Sequence, residues 1–337
     1  MTELPALVQA LLTSEPYPHH PSEIELVQTQ MSFIFLTGDY VYKVKKPVDL
    51  GYLDYTTLER RKHFCHQEVM LNRRLCPDVY LDVVAISEEN GKFSIEGKGE
   101  AIEYAVKMRQ LPQQRMMDNL LRDNQITKEM IARVARRVAE FHQEAETSEE
   151  ISGFGDLSIL VTNTEENFSQ TEKYIGVSIP REKYDIIKSY TENFINKNTR
   201  LFHHRVEQGR IRDCHGDLHA AHVCFSNGLY IFDCIEFNDR FRYSDVASEI
   251  AFLAMDLDYH RRPDLSQHFV LTYEEVSGDR EMNQLIDFYK CYRAYVRGKV
   301  ESFKLDDPHI SEEEKRRVLA IASRYFELAE SYIMKGD

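Results

Sequence analysis

The chain has 337 residues, a length that accommodates two lobes without a third unit. Apolar residues make up 42% of the chain and charged residues 29%, so we expect a globular protein with a sizeable core. The formal net charge of -14 argues against a nucleic-acid partner and against an anionic membrane surface, because binding to either relies on Lys and Arg.

Cysteine usage and the lack of long apolar runs predict the compartment. The six cysteines are scattered without a C-x-x-C pair, which fits neither a zinc site nor a disulfide framework, so we expect buried thiols in a reducing environment. No run approaches the roughly twenty apolar residues of a membrane helix, and the first residues lack a basic leader and a cleavage site. The chain is therefore predicted to be cytoplasmic, with no membrane partner.

Alternating apolar and polar residues predict an antiparallel sheet near the start of the chain. Strands are expected at residues 24–29, 32–36 and 40–45, and then at 79–86 and 93–108, the last of these interrupted near Gly97-Lys98-Gly99. A long helix is expected between the two groups of strands, over residues 58–75, where Thr56 and Glu59 form a capping-box pair.

Helical periodicity dominates the remainder of the chain, beginning with residues 128–144. Further helices are predicted at residues 165–174, 181–196, 247–257, 281–303 and 311–334. This order predicts an α+β fold: residues 1–111 form a β-rich lobe with one long helix, and residues 112–337 form a mostly helical lobe.

Residues 214–239 contain several His and Asp side chains of the kind that act in catalysis or bind a metal ion. The run His215-Gly216-Asp217-Leu218-His219 is followed by an Asn227-Gly228 pair, which predicts a hairpin that brings Asp233 alongside the first cluster. Phosphoryl transfer uses such a set, because one carboxylate orients and deprotonates the attacking hydroxyl while others hold the divalent ion on the nucleotide phosphates.

A cation for the phosphates is available earlier in the chain. Lys43 lies on the third predicted strand, and Glu68 on the following helix can hold it in place. Lys45 projects to the same face, since side chains two residues apart on a strand lie on one side of a sheet. Lys45 is therefore the second candidate for the same role.

These residues, in this order, resemble the aminoglycoside phosphotransferase and choline kinase group of enzymes, which have a protein-kinase-like fold. The pattern of that group is H-G-D-x-H-x-x-N, a hairpin and then a metal-binding Asp, and the resemblance covers roughly residues 24–257. It implies the following roles: Asp217 is the catalytic base, Asp233 the magnesium ligand, Lys43 the phosphate-binding lysine, Glu68 its ion-pair partner and Asp245 a supporting acidic residue.

The resemblance also implies where ATP would be held. The strand ending at Met108 and the following residues 109–112 correspond to the hinge, whose backbone groups would hold the adenine. The loop at Thr29 to Ser32 contains no glycine, unlike the Gly-rich loop of protein kinases, so the hydroxyls of these two residues are the candidate phosphate contacts.

His222 stands where the family pattern has a metal-binding Asn. Imidazole suits transition metals better than magnesium, so His222 either binds the metal weakly, favours manganese over magnesium, or turns outward. The expected cofactors are thus ATP and Mg²⁺, with Mn²⁺ as the alternative ion.

A helix rich in Tyr, Arg and Lys is predicted near residue 290. Tyr289, Arg293 and Arg297 lie four apart on one face, where they form either a salt-bridged helix surface or a wall that binds the acceptor substrate. A basic wall disfavours a polycationic antibiotic as the natural substrate.

The predicted function is transfer of the γ-phosphoryl group of ATP to a hydroxyl of a small molecule, such as a sugar, amino sugar or amino alcohol. Two alternatives remain open. One is a catalytically silent nucleotide-binding module, and the other is a metal-dependent hydrolase that uses the His215, Asp217, His219 and His222 cluster. The identity of the acceptor and the oligomeric state are not encoded in a short motif.

Overall fold

The computed structural model describes residues 4–333. The chain forms two compact units: the first runs to residue 119 and includes residues 222–239, and the second comprises residues 120–221 and the chain from residue 240 onward. The first unit therefore extends past residue 111 and takes in the segment that contains Asp233.

The first unit is built on a six-stranded antiparallel sheet. Its strands are β1 (Glu25–Gln28), β2 (Ser32–Leu36), β3 (Tyr40–Lys45), β4 (Tyr80–Glu89), β5 (Lys92–Ile95) and β6 (Ala101–Arg109), in the spatial order β1-β2-β3-β6-β4-β5. The break predicted near residues 97–99 is present, since β5 ends at Ile95 and β6 begins at Ala101. Asn90 and Gly91 both have positive φ, so they form a tight hairpin turn between β4 and β5, and the chain turns again before β6.

Two helices accompany this sheet, a short α1 (Ala6–Ala10) and the long α2 (Leu58–Asn72). The predicted N-cap of α2 was one residue early: the Thr57 side chain accepts the N–H of Arg60, whereas the Thr56 hydroxyl donates to Asp54. The buried side of α2 packs on β4 and β6, and it carries Glu68 into the interior of the unit.

The predicted hairpin is present in the first unit as β8 (Val223–Phe225) and β9 (Leu229–Ile231), after β7 (Ile211–Asp213) of the second unit. The first strand starts at Val223, because residues 220–222 form a 3₁₀ turn. Phe232 N–H donates to the carbonyl of His222 (3.0 Å), so the hairpin returns the chain to His222 just before Asp233.

The second unit is mostly helical. Two helices, α3 (Met117–Arg122) and α9 (Asp239–Arg242), begin in the first unit and end in the second. The other helices of the second unit are α4 (Lys128–Glu144), α5 (Glu149–Gly153), α6 (Leu157–Thr171), α7 (Arg181–Lys197), α8 (Thr199–Glu207), α10 (Val246–Tyr259), α11 (Pro263–Ser277), α12 (Ile286–Phe303) and α13 (Glu312–Ile333). A short strand β10 (Tyr243–Asp245) pairs antiparallel with β7. Residue 334, the predicted end of the last helix, lies outside the described residues.

The core of the second unit forms where α12 packs against α10 and α13, and α4 packs on α11. Buried aromatic residues fill it, among them Phe168, Tyr295 and Phe326. An antiparallel N-terminal sheet followed by a helical C-terminal part confirms the predicted α+β fold class. Within residues 4–333, no helix is long and apolar enough to cross a membrane.

Candidate active site

Lys43 on β3 joins two of the predicted site residues in the first unit. Its Nζ lies 2.8 Å from Glu68 Oε1 and 2.7 Å from Asp233 Oδ1. Strand β3 is flanked by β2 and β6, and α2 packs on the sheet, so Lys43 meets Glu68 inside the unit. The three residues that the sequence selected from distant positions are therefore in direct contact.

Lys45 is the more deeply buried of the two lysines, with its side chain 1% exposed. Its Nζ lies 2.7 Å from Glu68 Oε2 and also donates to Glu236 Oε1. Tyr55 donates its hydroxyl to the same Glu236 oxygen at 2.7 Å. Sequence analysis missed Glu236 and Tyr55; the available signal for Glu236 was a carboxylate three residues after Asp233.

The charge states of Lys43, Lys45 and Glu68 depend on one another. Burial alone raises the pKa of the Glu68 carboxyl, but Lys43 and Lys45 outweigh it and hold that pKa below its usual value. Burial alone lowers the pKa of each ammonium, yet Asp233 and Glu68 raise that of Lys43, and Glu236 and Glu68 raise that of Lys45. All three groups are therefore charged at neutral pH.

The backbone at Asp233 has an uncommon conformation. Its φ is 62°, in the left-handed region that few residues other than glycine adopt. The N–H of Asp233 donates to the Tyr80 hydroxyl (3.2 Å), and the N–H of Cys234 donates to Asn72 Oδ1 (2.8 Å). Side chains from α2 and β4 thus hold the segment that presents this carboxylate.

His222 and Asp233 come together across the hairpin, with His222 Nε2 3.5 Å from Asp233 Oδ2. An imidazole and a carboxylate oxygen suit a divalent ion that accepts mixed nitrogen and oxygen ligands, which describes Mn²⁺ better than Mg²⁺. The donor set is compatible with a divalent metal, whose binding here stays a prediction, while Oδ1 of the same carboxylate is engaged by Lys43.

The predicted nucleotide contacts lie in the first unit. Met108 is buried on β6 within an apolar cluster that includes Val41 and Val106. In the loop before β2, the Thr29 Oγ accepts the N–H groups of Met31 and Ser32, and the Ser32 residue is 2% exposed. In this conformation the Thr29 hydroxyl is hydrogen-bonded within its own turn, so these bonds must break before it can contact a phosphate.

Asp217 lies in a loop of the second unit that a buried carboxylate organises. Glu249 on α10 accepts the N–H of Gly216 at 2.6 Å and that of His215 at 3.1 Å. Gly216 has a φ of 87°, a conformation strained for any residue with a side chain, which explains the glycine in this motif. Asp217 Oδ2 lies 3.5 Å from His219 Nε2.

Glu249 is itself held in place by His142, which in turn contacts Tyr273. His142 on α4 places Nε2 at 2.8 Å from Glu249 Oε2 and Nδ1 at 2.8 Å from the Tyr273 hydroxyl on α11. Burial raises the pKa of Glu249, but the hydrogen bond and charge of His142 and the nearby His215 lower it to about 2. This carboxylate therefore stays ionised, and the loop that carries Asp217 is fixed to two helices.

The three α12 residues predicted as a substrate wall differ in their surroundings. Tyr289 is buried, and burial raises the pKa of its phenol well above the usual value. Arg293 is also buried; its Nε donates to the Ser248 hydroxyl (3.2 Å) and its Nη1 to the Gly216 carbonyl (3.5 Å). Both residues are packed inside the second unit, where Arg293 braces the loop beside Asp217.

Arg297, one turn further along α12, is partly exposed. Its guanidinium lies over the Tyr325 ring, 5.6 Å from the centroid. Burial lowers its pKa, but the charges of Tyr325, Asp217 and Asp256 outweigh this effect and raise it. Of the three predicted residues, Arg297 is the one that combines exposure with electrostatic coupling to Asp217.

Asp245, the six cysteines and the hydrolase cluster are the remaining residues singled out from the sequence. Asp245 caps α10 by accepting the N–H of Ala247 (2.9 Å), and it pairs with the buried Arg205 (2.7 Å). The six cysteines are all buried thiols, as predicted. In the cluster proposed for a hydrolase, His215 Nδ1 accepts the N–H of Asp217 (3.3 Å), which directs that nitrogen into its own loop.

The relatives found by sequence are uncharacterized. The chain is 31% identical over 291 residues to uncharacterized proteins Rv2004c of Mycobacterium tuberculosis and Mb2027c of Mycobacterium bovis. The match covers 86% of this chain and 56% of each relative, so the chain spans a little over half of their length. No protein-family model matches the sequence.

Solved structures with the same fold are small-molecule kinases by name. A choline/ethanolamine kinase family protein from Mesorhizobium loti superposes with a TM-score of 0.54 at 11% identity, covering 98% of this chain and 100% of that one. A putative aminoglycoside phosphotransferase from Ralstonia eutropha superposes with a TM-score of 0.52 at 13% identity, covering 92% of both chains. At these identities the likeness shows the fold, and the resemblance predicted from sequence is confirmed at that level.

Proposed function

We propose that this chain, which has the protein-kinase-like fold of choline/ethanolamine kinases and aminoglycoside phosphotransferases, transfers the γ-phosphoryl group of ATP to a hydroxyl of a small molecule. The observation that carries the proposal is the contact of Lys43 with both Glu68 and Asp233. A lysine held by a helix carboxylate, beside a carboxylate suited to metal, is the arrangement that phosphoryl transfer requires.

In the proposed reaction, Lys43 exchanges Asp233 for the nucleotide phosphates while Glu68 keeps it in position. The carboxylate of Asp233, with His222 beside it, would hold the divalent ion, which neutralises charge on the phosphates when bound. The apolar cluster around Met108 supports a site for the adenine at the end of β6. ATP and a divalent ion, Mg²⁺ or Mn²⁺, are therefore the proposed cofactors.

Asp217 is the proposed base. It accepts the proton of the acceptor hydroxyl as the new oxygen–phosphorus bond forms and the bond to ADP breaks. Because Glu249 holds the amides of the two preceding residues, the carboxylate would be presented in one orientation without rearrangement. Arg293 supports the same loop through the Gly216 carbonyl.

Arg297 is the proposed contact to the acceptor, since it is partly exposed and coupled to Asp217. A sugar, amino sugar or amino alcohol supplies the hydroxyl. A guanidinium at this position repels a polycation, so an aminoglycoside antibiotic is not the proposed acceptor. We propose a cytoplasmic setting, where ATP is available, and no nucleic-acid or membrane partner.

The test is a screen of purified protein against sugars, amino sugars and amino alcohols, with release of ADP as the readout and with Mg²⁺ or Mn²⁺ present. Asp217→Asn is expected to lower kcat by about 10³-fold or more, because general-base catalysis of this size is lost. Asp123→Asn is the matched control, since Asp123 is exposed in the turn after α3.

Each outcome of the screen has a distinct meaning. Turnover that Asp217→Asn abolishes and Asp123→Asn leaves unchanged supports the proposal. A thermal shift with ATP but no turnover with any acceptor or either ion would make the chain a silent nucleotide-binding module. Tightly bound zinc without a nucleotide-dependent shift would favour a hydrolase instead.

A further inference from the structure

We infer that Lys45 and Glu236 are positioning residues that hold the metal-binding aspartate in place through Glu68. This inference rests on the proposed function of Asp233. The lysine–carboxylate network, comprising Lys43, Lys45, Glu68, Asp233 and Glu236, lies entirely in the first unit.

The network closes on itself. Asp233 contacts Lys43, Lys43 and Lys45 take different oxygens of Glu68, and Lys45 contacts Glu236. Glu236 follows Asp233 by three residues, so the chain itself completes the ring. Both ends of this short segment are therefore attached to the same helix carboxylate, one end through each lysine.

The two lysines are not equivalent. The side chain of Lys43 is 14% exposed and bonds to Asp233, which is 40% exposed, so this pair can open toward a ligand. The side chain of Lys45 is 1% exposed, and its partners Glu68 and Glu236 are 0% and 6% exposed. Opening the Lys45 pairs would leave buried charges without compensation, which is strongly unfavourable.

This difference in exposure gives Lys43 and Lys45 separate roles. When Lys43 leaves Asp233 for the phosphates, Lys45 still compensates the charge of Glu68, so the helix carboxylate stays ionised and in place. At the same time Lys45 holds Glu236, with a second bond from Tyr55 to the same oxygen. The residue that changes partners and the residue that maintains the geometry are thus two different lysines.

The segment needs such support because of its backbone. Asp233 has a φ of 62°, and a residue with a side chain in this region persists only where its surroundings determine it. Tyr80 and Asn72 bind the amides of Asp233 and Cys234, and the Lys45–Glu236 contact restrains the other end. Loss of that contact should let the segment relax and turn the Asp233 carboxylate away from its position.

The kinetic test compares Lys45→Met and Glu236→Gln with wild type. Both variants should raise the Mg²⁺ or Mn²⁺ concentration for half-maximal rate at least about tenfold, as loss of a supporting partner of a metal ligand commonly does. The KM for the acceptor should stay within about twofold, since the support acts on metal and not on acceptor binding. Lys45→Arg, which keeps the charge, should restore part of the metal affinity.

The control is Lys92→Met, which removes one exposed lysine from β5 of the same sheet. It should leave the metal requirement unchanged. If Lys45→Met fails to fold, Glu236→Gln, which keeps the size of the side chain and a hydrogen-bonding oxygen, provides the same comparison. Unchanged metal dependence in the folded Glu236→Gln variant would overturn the inference.

A second readout does not depend on turnover. In protein without ligand, the amides of Asp233 and Cys234 should exchange with deuterium at least about tenfold faster in Glu236→Gln than in wild type, because local opening of the segment costs less. Amides of β4 should be unaffected. If wild type shows no kinase activity, the proposed function fails, yet this exchange measurement still decides whether Lys45 and Glu236 hold the segment.

Discussion

Both units contain a deeply buried cation that lies between two carboxylates, and the two clusters differ in what they hold. In the first unit, Lys45 lies between Glu68 and Glu236. In the second, the equally buried Arg205 places Nε and Nη2 on Asp245 (2.9 and 2.7 Å) and Nη1 on Asp279 (2.6 Å).

The guanidinium fork fixes its partners in one geometry, whereas an ammonium is a point charge whose bonds can be reassigned. The partners of Arg205 also bind backbone, since Asp245 accepts the N–H of Ala247 and Asp279 that of Met282. The partner of Lys45 is shared with Lys43, which contacts Asp233. A buried cation between two carboxylates thus stabilises the fold in the second unit, whereas in the first unit it contacts the residues of the candidate site.

Arg205→Met should show the scaffold role most clearly. It leaves Asp245 buried without its Arg205 counter-charge and Asp279 with only Arg210 at 3.8 Å, so it should lower the free energy of unfolding by about 3–5 kcal/mol. Urea unfolding at pH 7 measures this loss, and kcat per folded molecule should stay within about twofold. Arg205→Lys, which keeps the charge and loses the fork, should recover part of the stability. A large fall in kcat with normal stability would contradict the distinction.

Glu68→Gln should affect kcat more than it affects the free energy of unfolding. We expect a smaller loss of unfolding free energy, about 2 kcal/mol, because Lys43 keeps Asp233 and Lys45 keeps Glu236. In contrast, kcat should fall at least about tenfold, since the lysine that holds the phosphates loses its support. Urea unfolding and release of ADP are measured on the same preparation. Equal effects of Glu68→Gln and Arg205→Met on kcat would remove the contrast between the clusters.

Lys299 on α12 is another buried cation, and it is held by the side-chain oxygens of Asn167 (2.6 Å) and Gln170 (2.7 Å). Burial is the main cause that lowers its pKa from 10.5 to about 8, an effect that Glu166 opposes and Arg240 reinforces. Between these two values the unfolded chain binds more protons than the folded one, so stability rises with pH.

Urea unfolding from pH 8 to pH 9.5 should therefore show a contribution from Lys299 of about 1–2 kcal/mol. Lys299→Met should remove this contribution, and Lys92→Met, at an exposed site, should leave it intact. An identical pH dependence in wild type and Lys299→Met would show that the buried amine titrates at its ordinary value.

Much of the fold was predictable from local patterns. Strands β2 and β3 and helix α4 were predicted with their observed bounds, since alternation and helical periodicity are strong there. The break between β5 and β6 was predicted, whereas the helix α11 was missed. Pro263 at the start of α11 and Gly278 at its end, with Leu265, Phe269 and Tyr273 spaced four apart, were the unused signals.

The candidate site, like the fold, was predictable from the sequence only in part. Lys43, Glu68 and Asp233 were selected from sequence because their order and residue types match one kind of chemistry, and they are in contact. The inward orientation of Tyr289 and Arg293 was not predictable, because helical spacing shows that residues share a face and does not show what that face meets.

By itself, the sequence determined the element order, the hairpin and the residues that carry charge to the site, because these depend on local propensity and on residue identity. Only the tertiary structure decided that Glu68 is shared by two lysines, that Glu236 completes the network, and that Glu249 organises the loop of Asp217. Each of these depends on residues far apart in the chain meeting in a buried place, where the pairing of charges and not local pattern determines which partners form.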